Sequence, residues 1–533
     1  MSISIPRSAL FLGLAALLPL AVHAGNAAPA APLSLSGESS TTPAAPAPAW
    51  KLARLPKSAV AARIDYPPLP TRKLLQLQQD NANRGRKAVR IGVARTLSTE
   101  GMHSATPALR WVADGRGGAV ARLEIRSADA EALRVGLDLS RVDPRVELRF
   151  SGNRDTGRPV AAMSVAEARA LPADDGLFWT PSTDGELQIV EFWRPAGVPA
   201  FAVRPQAPKL SHDVVDSRSS YKLLQKIGES GSCNVDVVCR VNELGPKFAQ
   251  AKNAVAHMRF VVSGSTFICT GTLLNDSVPV TQVPYFHGAN HCFSTNTNAA
   301  PVVSQMQTVA NTLNTFWNYE ASTCNGNVST PQTQLSGGAD YLYSSNQTDG
   351  MLLRLKNAAP AVAYFSGWDA RPLAVSASGD SNIFAIHHPA GDARMVSQGA
   401  KISQDSVQHE MGWTSGTTEG GSSGSGIFTI DSRGYYQLRG GLFGGFASCA
   451  NAGNLNNSGN RDYYSRLDID IAQMRQWLAP QAIVLNGSAP RLPPAGGAAV
   501  APTRPAAASQ PVRQAPRLDE GDTRTLRAGE RVR

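Results

Sequence analysis

Six cysteines stand in this chain, all between Cys233 and Cys449, with none before or after. An even number confined to one span reads as a disulfide framework, and such bridges persist in an oxidising compartment. One region is therefore stapled covalently, while its flanks must hold together by other means. At 533 residues the chain exceeds one ordinary domain. Six cysteines allow many pairings, and spacing alone does not choose among them.

The N-terminus agrees with export. Arg7 supplies a charged start, residues 9–21 a short apolar core, and Val22-His23-Ala24 a small-residue cleavage site. Residues 1–24 are expected to be a signal peptide. The apolar run is short for a membrane span and no later one follows, so the expectation is a secreted, extracellular protein, exported through the periplasm, with no membrane partner afterwards. The formal charge is +10, but no block of consecutive Lys/Arg carries it. Such a diffuse excess favours solubility over a nucleic-acid partner.

Residues 25 to about 60 are rich in Ala, Pro and Ser. That composition cannot bury enough apolar surface to order itself and reads as a linker. Residues 73–84 are compatible with a short helix. Apolar and polar residues then alternate over 87–93, 119–125, 146–150 and 185–192, the period of half-buried strands. A small cysteine-free β-sandwich is expected over about 85–205, and a polar connector over 211–225. The cysteine-bearing region has many short strand-like runs between Gly, Asn and Ser turns, the pattern of an all-β barrel or sandwich. Residues 467–478 carry apolar side chains at helical spacing and stop before Pro480. Beyond 481 the chain is Pro-, Ala- and Arg-rich through Arg533, a tail expected to be disordered. The fold class is mostly β.

Chemistry concentrates in three stretches. Gly420-Gly421-Ser422-Ser423-Gly424-Ser425-Gly426 places a serine on a loop whose glycines let main chain approach a substrate carbonyl. A serine hydroxyl needs an adjacent base to act as a nucleophile. Upstream, Gly288-Ala289-Asn290-His291-Cys292 offers that base. Between them, Thr348-Asp349-Gly350-Met351-Leu352-Leu353 places a carboxylate at the start of an apolar strand. His, then Asp, then Ser is the chain order of chymotrypsin-type proteases, not of subtilisins or α/β-hydrolases.

From about 228 to 480 the sequence resembles the secreted bacterial lysyl endopeptidases, a branch of the trypsin-like serine proteases. The likeness runs through Gly231-Ser232-Cys233-Asn234-Val235-Asp236-Val237-Val238-Cys239, Cys269-Thr270-Gly271, His291-Cys292 and Trp317-Asn318-Tyr319. It continues through Ser322-Thr323-Cys324, Gly367-Trp368-Asp369, Ala385-Ile386-His387-His388-Pro389 and Gly421-Ser422-Ser423-Gly424-Ser425. The resemblance implies a double six-stranded β-barrel, with Ser423 as nucleophile, His291 as general base and then acid, and Asp349 orienting the imidazole. It implies an oxyanion hole from the N–H groups of Gly421 and Ser423. It also implies bridges Cys233–Cys449, Cys239–Cys324 and Cys269–Cys292. Asp462 would be the acid of the specificity pocket, selecting a basic side chain before the scissile bond, Lys first and Arg in addition; Glu419 is the rival for that role. No cofactor is implied.

Exported proteases of this kind are made as precursors. Residues 25–226 are expected to be a pro-region that serves as intramolecular inhibitor or chaperone, with cleavage after Lys226 and a protease domain at 227–480. The chain departs from the family in three places. Ser422 stands where trypsins carry the aspartate that pairs with the new N-terminal amine. Asn290 precedes the histidine in a stretch that lacks the usual threonine. Phe443 replaces the family's histidine before Gly444-Gly445, while Trp413 resembles the tryptophan that accompanies that histidine.

Other readings compete for some of these residues. His287 and His291 stand four apart beside Cys292, but Val283-Pro284-Tyr285-Phe286 argues for a strand rather than the helix a zinc pair needs. His387-His388 has no role derivable from sequence beyond a structural one. An esterase would use the same triad, yet Ser425 stands where the second glycine of a Gly-x-Ser-x-Gly elbow belongs. An inactive binding module would not need the three residues intact.

Overall fold

The computed structural model describes residues 32–53, 62–82, 88–98, 108–155, 157–217, 230–278 and 281–480. The expected signal peptide, Lys226 and the tail lie outside them.

Two sheets make up the N-terminal region. One runs in the order Ala161–Ser164, Glu147–Gly152, Leu187–Arg194, Ala119–Ser127, Ala62–Tyr66, with Val112–Ala113 also on Ala119–Ser127. The other runs Phe178–Trp179, Ala132–Asp138, Gln206–Asp213, Gly92–Thr96, with Thr183–Asp184 on Ala132–Asp138. The alternating residues explain the packing. Leu123, Ile125, Phe150 and Val190 of the first sheet meet Leu133, Val135, Leu137 and Leu210 of the second in one buried cluster, while Arg122, Glu124 and Arg126 point outward as cross-strand ion-pair partners.

The cysteine-bearing region holds one closed barrel and one half-barrel, the chymotrypsin-like arrangement. The closed barrel has six antiparallel strands: Tyr436–Gly445, Gly426–Ile430, Ile383–His387, Met395–Gln404, Gln408–Ser415 and Asp462–Ser465. It closes because Tyr436–Gly445 pairs with both Gly426–Ile430 and Asp462–Ser465. The other unit runs from Thr333–Leu335 through Asn314–Trp317, Val255–Val262, Ser265–Leu274, Tyr285–Ala289 and Gly350–Leu355 to Ala339–Ser344, and its ends do not pair. The mostly β, chymotrypsin-like fold class read from the sequence holds, with this unit a half-barrel. Its last strand is met by a side chain. Gln307, on the helix Val303–Ala310, donates to the carbonyl of Ala339 (2.9 Å) and accepts from the N–H of Tyr341 (2.9 Å). A side-chain amide thus satisfies part of an edge that barrel closure would otherwise cover.

The helix Leu467–Leu478 has the bounds read from its apolar spacing and buries Leu467, Ile471, Met474 and Leu478. The longest of the helices that were not expected are Val303–Ala310 and Val237–Ala251, the latter breaking at Gly245 (φ 78°) before Pro246. Part of the compositional linker is paired. Ser34–Leu35 adds antiparallel to Gly367–Asp369 and Glu38–Ser39 to Tyr364–Phe365. The segment builds no core; it borrows edges from the protease region. Three bridges join Cys233 to Cys449, Cys239 to Cys324 and Cys269 to Cys292.

The N-terminal sheets dock on the half-barrel through buried polar contacts. The Arg134 guanidinium donates to the carbonyl of Thr312 at 2.6 Å, and the N–H of Ser182 to Asn314 Oδ1 at 2.9 Å. Burial pushes the Asp213 carboxyl up to about 6, against the nearby Arg259 and Arg134.

Candidate active site

Three elements converge. The strand Tyr285–Ala289 runs into a short helix, Asn290–Phe293, that carries His291. The Cys269–Cys292 bridge ties the next residue to the strand Ser265–Leu274. Asp349 stands immediately before Gly350–Leu355, and the register pairs Ala289 with Gly350. Histidine and aspartate are therefore neighbours because their strands are. Asp349 adopts φ 70°, which is uncommon for a residue other than glycine. Its N–H donates to Ser345 O (2.9 Å) and its carbonyl accepts from Asn290 N–H (2.8 Å), bonds that hold that conformation.

Ser423 comes from the closed barrel, on the loop between Gln408–Ser415 and Gly426–Ile430. The half-barrel pins this loop: Thr270 N–H donates to Ser423 O (2.8 Å) and Thr270 Oγ1 to Gly421 O (2.9 Å). Gly421 has φ 92°, and a Cβ there would come within 2.9 Å of Gly391 N and 3.0 Å of His388 O. Only glycine fits this turn.

All three side chains are buried and lie in one hydrogen-bonded line. His291 Nδ1 is 2.6 Å from Asp349 Oδ2, and His291 Nε2 is 2.7 Å from Ser423 Oγ. The other carboxylate oxygen of Asp349 accepts from the backbone N–H of His291 at 2.9 Å. A carboxylate only accepts, so Nδ1 carries the proton and Nε2 is free to accept from the serine hydroxyl. Among the described residues, the N–H groups of Gly421 and Ser423 have no acceptor. The arrangement can deprotonate a serine and offer two N–H groups to the oxyanion that results.

Asp462 is fully buried and begins the strand Asp462–Ser465 rather than lying on the loop before it. Its Oδ2 accepts from Trp413 Nε1 at 2.7 Å and from Thr418 Oγ1 at 2.6 Å. Glu419, the rival for the pocket role, is engaged with the start of the stapled region. Its Oε1 accepts from Gly231 N–H (2.9 Å) and Asn234 Nδ2 (2.8 Å), clamping the start of the stapled region beside the Cys233–Cys449 bridge.

The other histidines singled out in the sequence, His287, His387 and His388, are buried. His387 bridges Ser422 Oγ (2.8 Å) and Ser397 Oγ (3.0 Å), so the residue before Ser423 is held in a hydrogen-bonded chain of side chains. His388 stacks on Tyr319 with ring centroids 5.5 Å apart, and burial pulls it down to about 3. His287 is buried and pulled down to about 4. Cys269, His291 and Cys292 lie close enough for a metal, but both sulfurs are spent in a bridge and both ring nitrogens of His291 are engaged. Phe443 meets His291 edge-on at 5.9 Å. Trp413 is buried against Tyr464 and bonds Asp462, so among the described residues it forms no Trp–His pair beside the site.

One residue escaped the sequence reading. Asp470, on the terminal helix, is buried beside Asp349: its Oδ1 accepts from Thr348 Oγ1 (2.7 Å) and Tyr343 OH (3.1 Å). Burial pushes its carboxyl up to about 7, and the charge of Asp349 adds to the effect. The signal was an aspartate on the apolar face of that helix, three positions after Leu467 and next to Ile471.

A barrel and half-barrel that bring serine, histidine and carboxylate from separate loops into one line belong to a serine endopeptidase, a hydrolase of protein and peptide substrates. The chain is a member of the lysyl endopeptidase family. Residues 227–465 match the family's C-terminal domain and residues 65–214 its N-terminal domain. It is 34% identical over 403 residues to the lysyl endopeptidase of Pseudomonas aeruginosa strain PAO1, covering 71% of this chain and 80% of that protein. Crystal structures of the Rv3671c protease in its inactive form align with 43% of this chain. One is a serine-to-alanine variant from M. tuberculosis H37Rv, with 13% identity, 89% of its chain covered and a TM-score of 0.24; the other has 12%, 92% and 0.25.

Proposed function

We propose that this protein is a secreted endopeptidase that cuts peptide chains after lysine and is made as a precursor. The observation that carries the reading is the line Asp349–His291–Ser423, with hydrogen bonds of 2.6 and 2.7 Å. Ser423 Oγ attacks the scissile carbonyl as His291 Nε2 takes its proton. The N–H groups of Gly421 and Ser423 hold the oxyanion. His291 then protonates the leaving amine, and water releases the acyl group by the reverse roles. Asp349 keeps the imidazole in the tautomer this needs and stabilises the imidazolium.

Lysine selectivity rests on Asp462. Its carboxylate is buried and oriented by Trp413 and Thr418, and a buried carboxylate favours a cationic side chain that can pair with it. The precursor divides into a signal at 1–24, a pro-region at 25–226, a protease domain at 227–480 and a tail at 481–533. The pro-region acts as inhibitor or folding aid, and its matching family domain and polar docking on the half-barrel support that part.

Ser423→Ala tests the reading. The variant should fold, lose peptidase activity and lose covalent labelling by an organophosphate. Near-normal turnover would remove Ser423 from the mechanism.

A further inference from the structure

One edge of the strand Ser265–Leu274 is shared by three partners in order. At Thr272 to Leu274 it pairs with Tyr285–Ala289, the strand that leads to His291. At Thr270 its N–H holds the carbonyl of Ser423. At Ile268 and Phe267 it pairs antiparallel with Val89 and Arg90 of the N-terminal region, and Ile91 N–H continues the ladder to Thr266 O at 2.9 Å. Positions 272, 270 and 268 face the same edge, spaced by about 7 Å. The N-terminal segment is thus the next occupant of the edge beyond the nucleophile.

Its direction is informative. Residue numbers rise from Val89 to Ile91 as the segment moves away from Ser423, so its N-terminal end is nearest the serine. A substrate chain leaves the reacting carbonyl in that sense on its leaving-group side. The segment also lies on that side: Ala88 is buried in the same apolar cluster as Cys269, Cys292 and Phe293, the residues around His291, which must reach the leaving amine. Ile268 itself closes over the nucleophile loop, its Cδ1 standing 3.3 Å from where a Cβ on Gly421 would be.

The outer edge of the segment is held as well. Asn81, on the helix Thr71–Ala82, donates from Nδ2 to Arg90 O (2.8 Å) and accepts Arg90 N–H on Oδ1 (3.0 Å), while Arg90 pairs with Asp80 at 2.7 Å. One side chain supplies both bonds that a further strand would make. The polar docking of the N-terminal sheets lies elsewhere, at Thr312 and Asn314.

We propose that residues 88–91 occupy the leaving-group half of the substrate groove, in the substrate's own direction, and that this segment excludes the part of a peptide that follows the scissile bond. The proposal rests on the reading of Ser423 and His291 as nucleophile and base. In the sequence, Ala88 is preceded by Lys87, which lies outside the described residues.

The test uses the full chain carrying Ser423→Ala, which cannot process itself, and two fluorescent peptides. One ends in a lysine amide; the other continues several residues beyond that lysine. In this chain the two should bind equally. Adding Asn81→Ala, or separately Val89→Pro, should tighten the longer peptide by roughly tenfold, about 1.4 kcal/mol, and leave the shorter one unchanged. Asn81→Ala keeps the strand sequence intact, so it decides the matter if Val89→Pro fails to fold. The proposal is overturned if the longer peptide already binds better before either change, if neither peptide gains, or if both gain alike, since the last result means that the whole domain blocks the cleft. Replacing lysine by alanine in both peptides reports separately on lysine selectivity, and turnover by the Ser423→Ala chain on the catalytic assignment.

Discussion

Asp349 accepts two hydrogen bonds from one residue, His291: the ring Nδ1–H on one carboxylate oxygen at 2.6 Å and the backbone N–H on the other at 2.9 Å. The aspartate therefore sets both the tautomer of the ring and the position of the backbone that carries it. Asparagine in its place can bond the ring only by offering an amide hydrogen or an uncharged carbonyl. We expect Asp349→Asn to keep the fold and lower kcat by roughly 10^4-fold, the effect of a wrong imidazole tautomer. Steady-state kinetics beside a circular dichroism spectrum checks this; a loss of less than tenfold would rule out the orienting role.

Asp462 should decide what side chain is accepted. With Asp462→Asn a substrate ammonium would be buried without its partner, a loss of about 3–5 kcal/mol. kcat/KM on lysine substrates should fall by roughly 10^2–10^4-fold, while hydrolysis after an uncharged residue should be little changed. If Glu419→Gln proved the damaging change instead, the pocket acid would be Glu419, and its clamp on Gly231 and Asn234 would need another explanation.

Processing should depend on Lys226 and not on the identity of the residue after it. Ser422 is bonded to His387, so the position offers no carboxylate for a new N-terminal amine. Downstream the chain is anchored independently, Ser230 Oγ to Asp392 at 2.8 Å and Gly231 to Glu419. Lys226→Gln should stall maturation, and Ile227→Val should not. N-terminal sequencing of the secreted protein decides it, with Ile227 as the expected first residue. A Ser423→Ala precursor still cut at that bond in a host without lysine-specific proteases would exclude self-processing.

Asp470 predicts a pH dependence of stability. Burial raises its carboxyl to about 7 in the folded chain, against about 3.9 when exposed. Between those values the folded state binds the extra proton, so the contribution of this residue to stability is full below about pH 4 and declines as pH rises through about 7. Asp470→Asn keeps the shape without the charge and should flatten that decline. Denaturant melts of the two chains should differ more at pH 8 than at pH 5; an equal difference at both would show that Asp470 does not carry the proton.

Much of this protein was legible in sequence because the signals were local. Alternation of apolar and charged residues marks Ala119–Ser127 and Leu187–Arg194 as half-buried strands, and helical spacing from Leu467 to Leu478 marks the closing helix. His291, Asp349 and Ser423 could be singled out because each sits in its own short signature, in the chain order of chymotrypsin-type proteases, and the structure brings the three into hydrogen-bond contact. Val237–Ala251 went unseen because Val-Val-Cys-Arg-Val reads locally as strand, and packing of Val237, Phe248 and Ala251 into the core overrides that preference.

What the tertiary structure decided were relationships between distant residues. Closure of one barrel but not the other depends on whether two edges meet, and no local pattern encodes that. The partners of Asp462 lie 49 residues away at Trp413 and 44 away at Thr418. The strand partner of Val89 and Arg90 is Phe267–Ile268, which alternation alone does not specify. Sequence dictates which residues want burial, a partner or a turn. Which of them meet is settled only when the chain closes on itself, because hydrogen bonds and contacts act over a few ångströms of space and not along the chain.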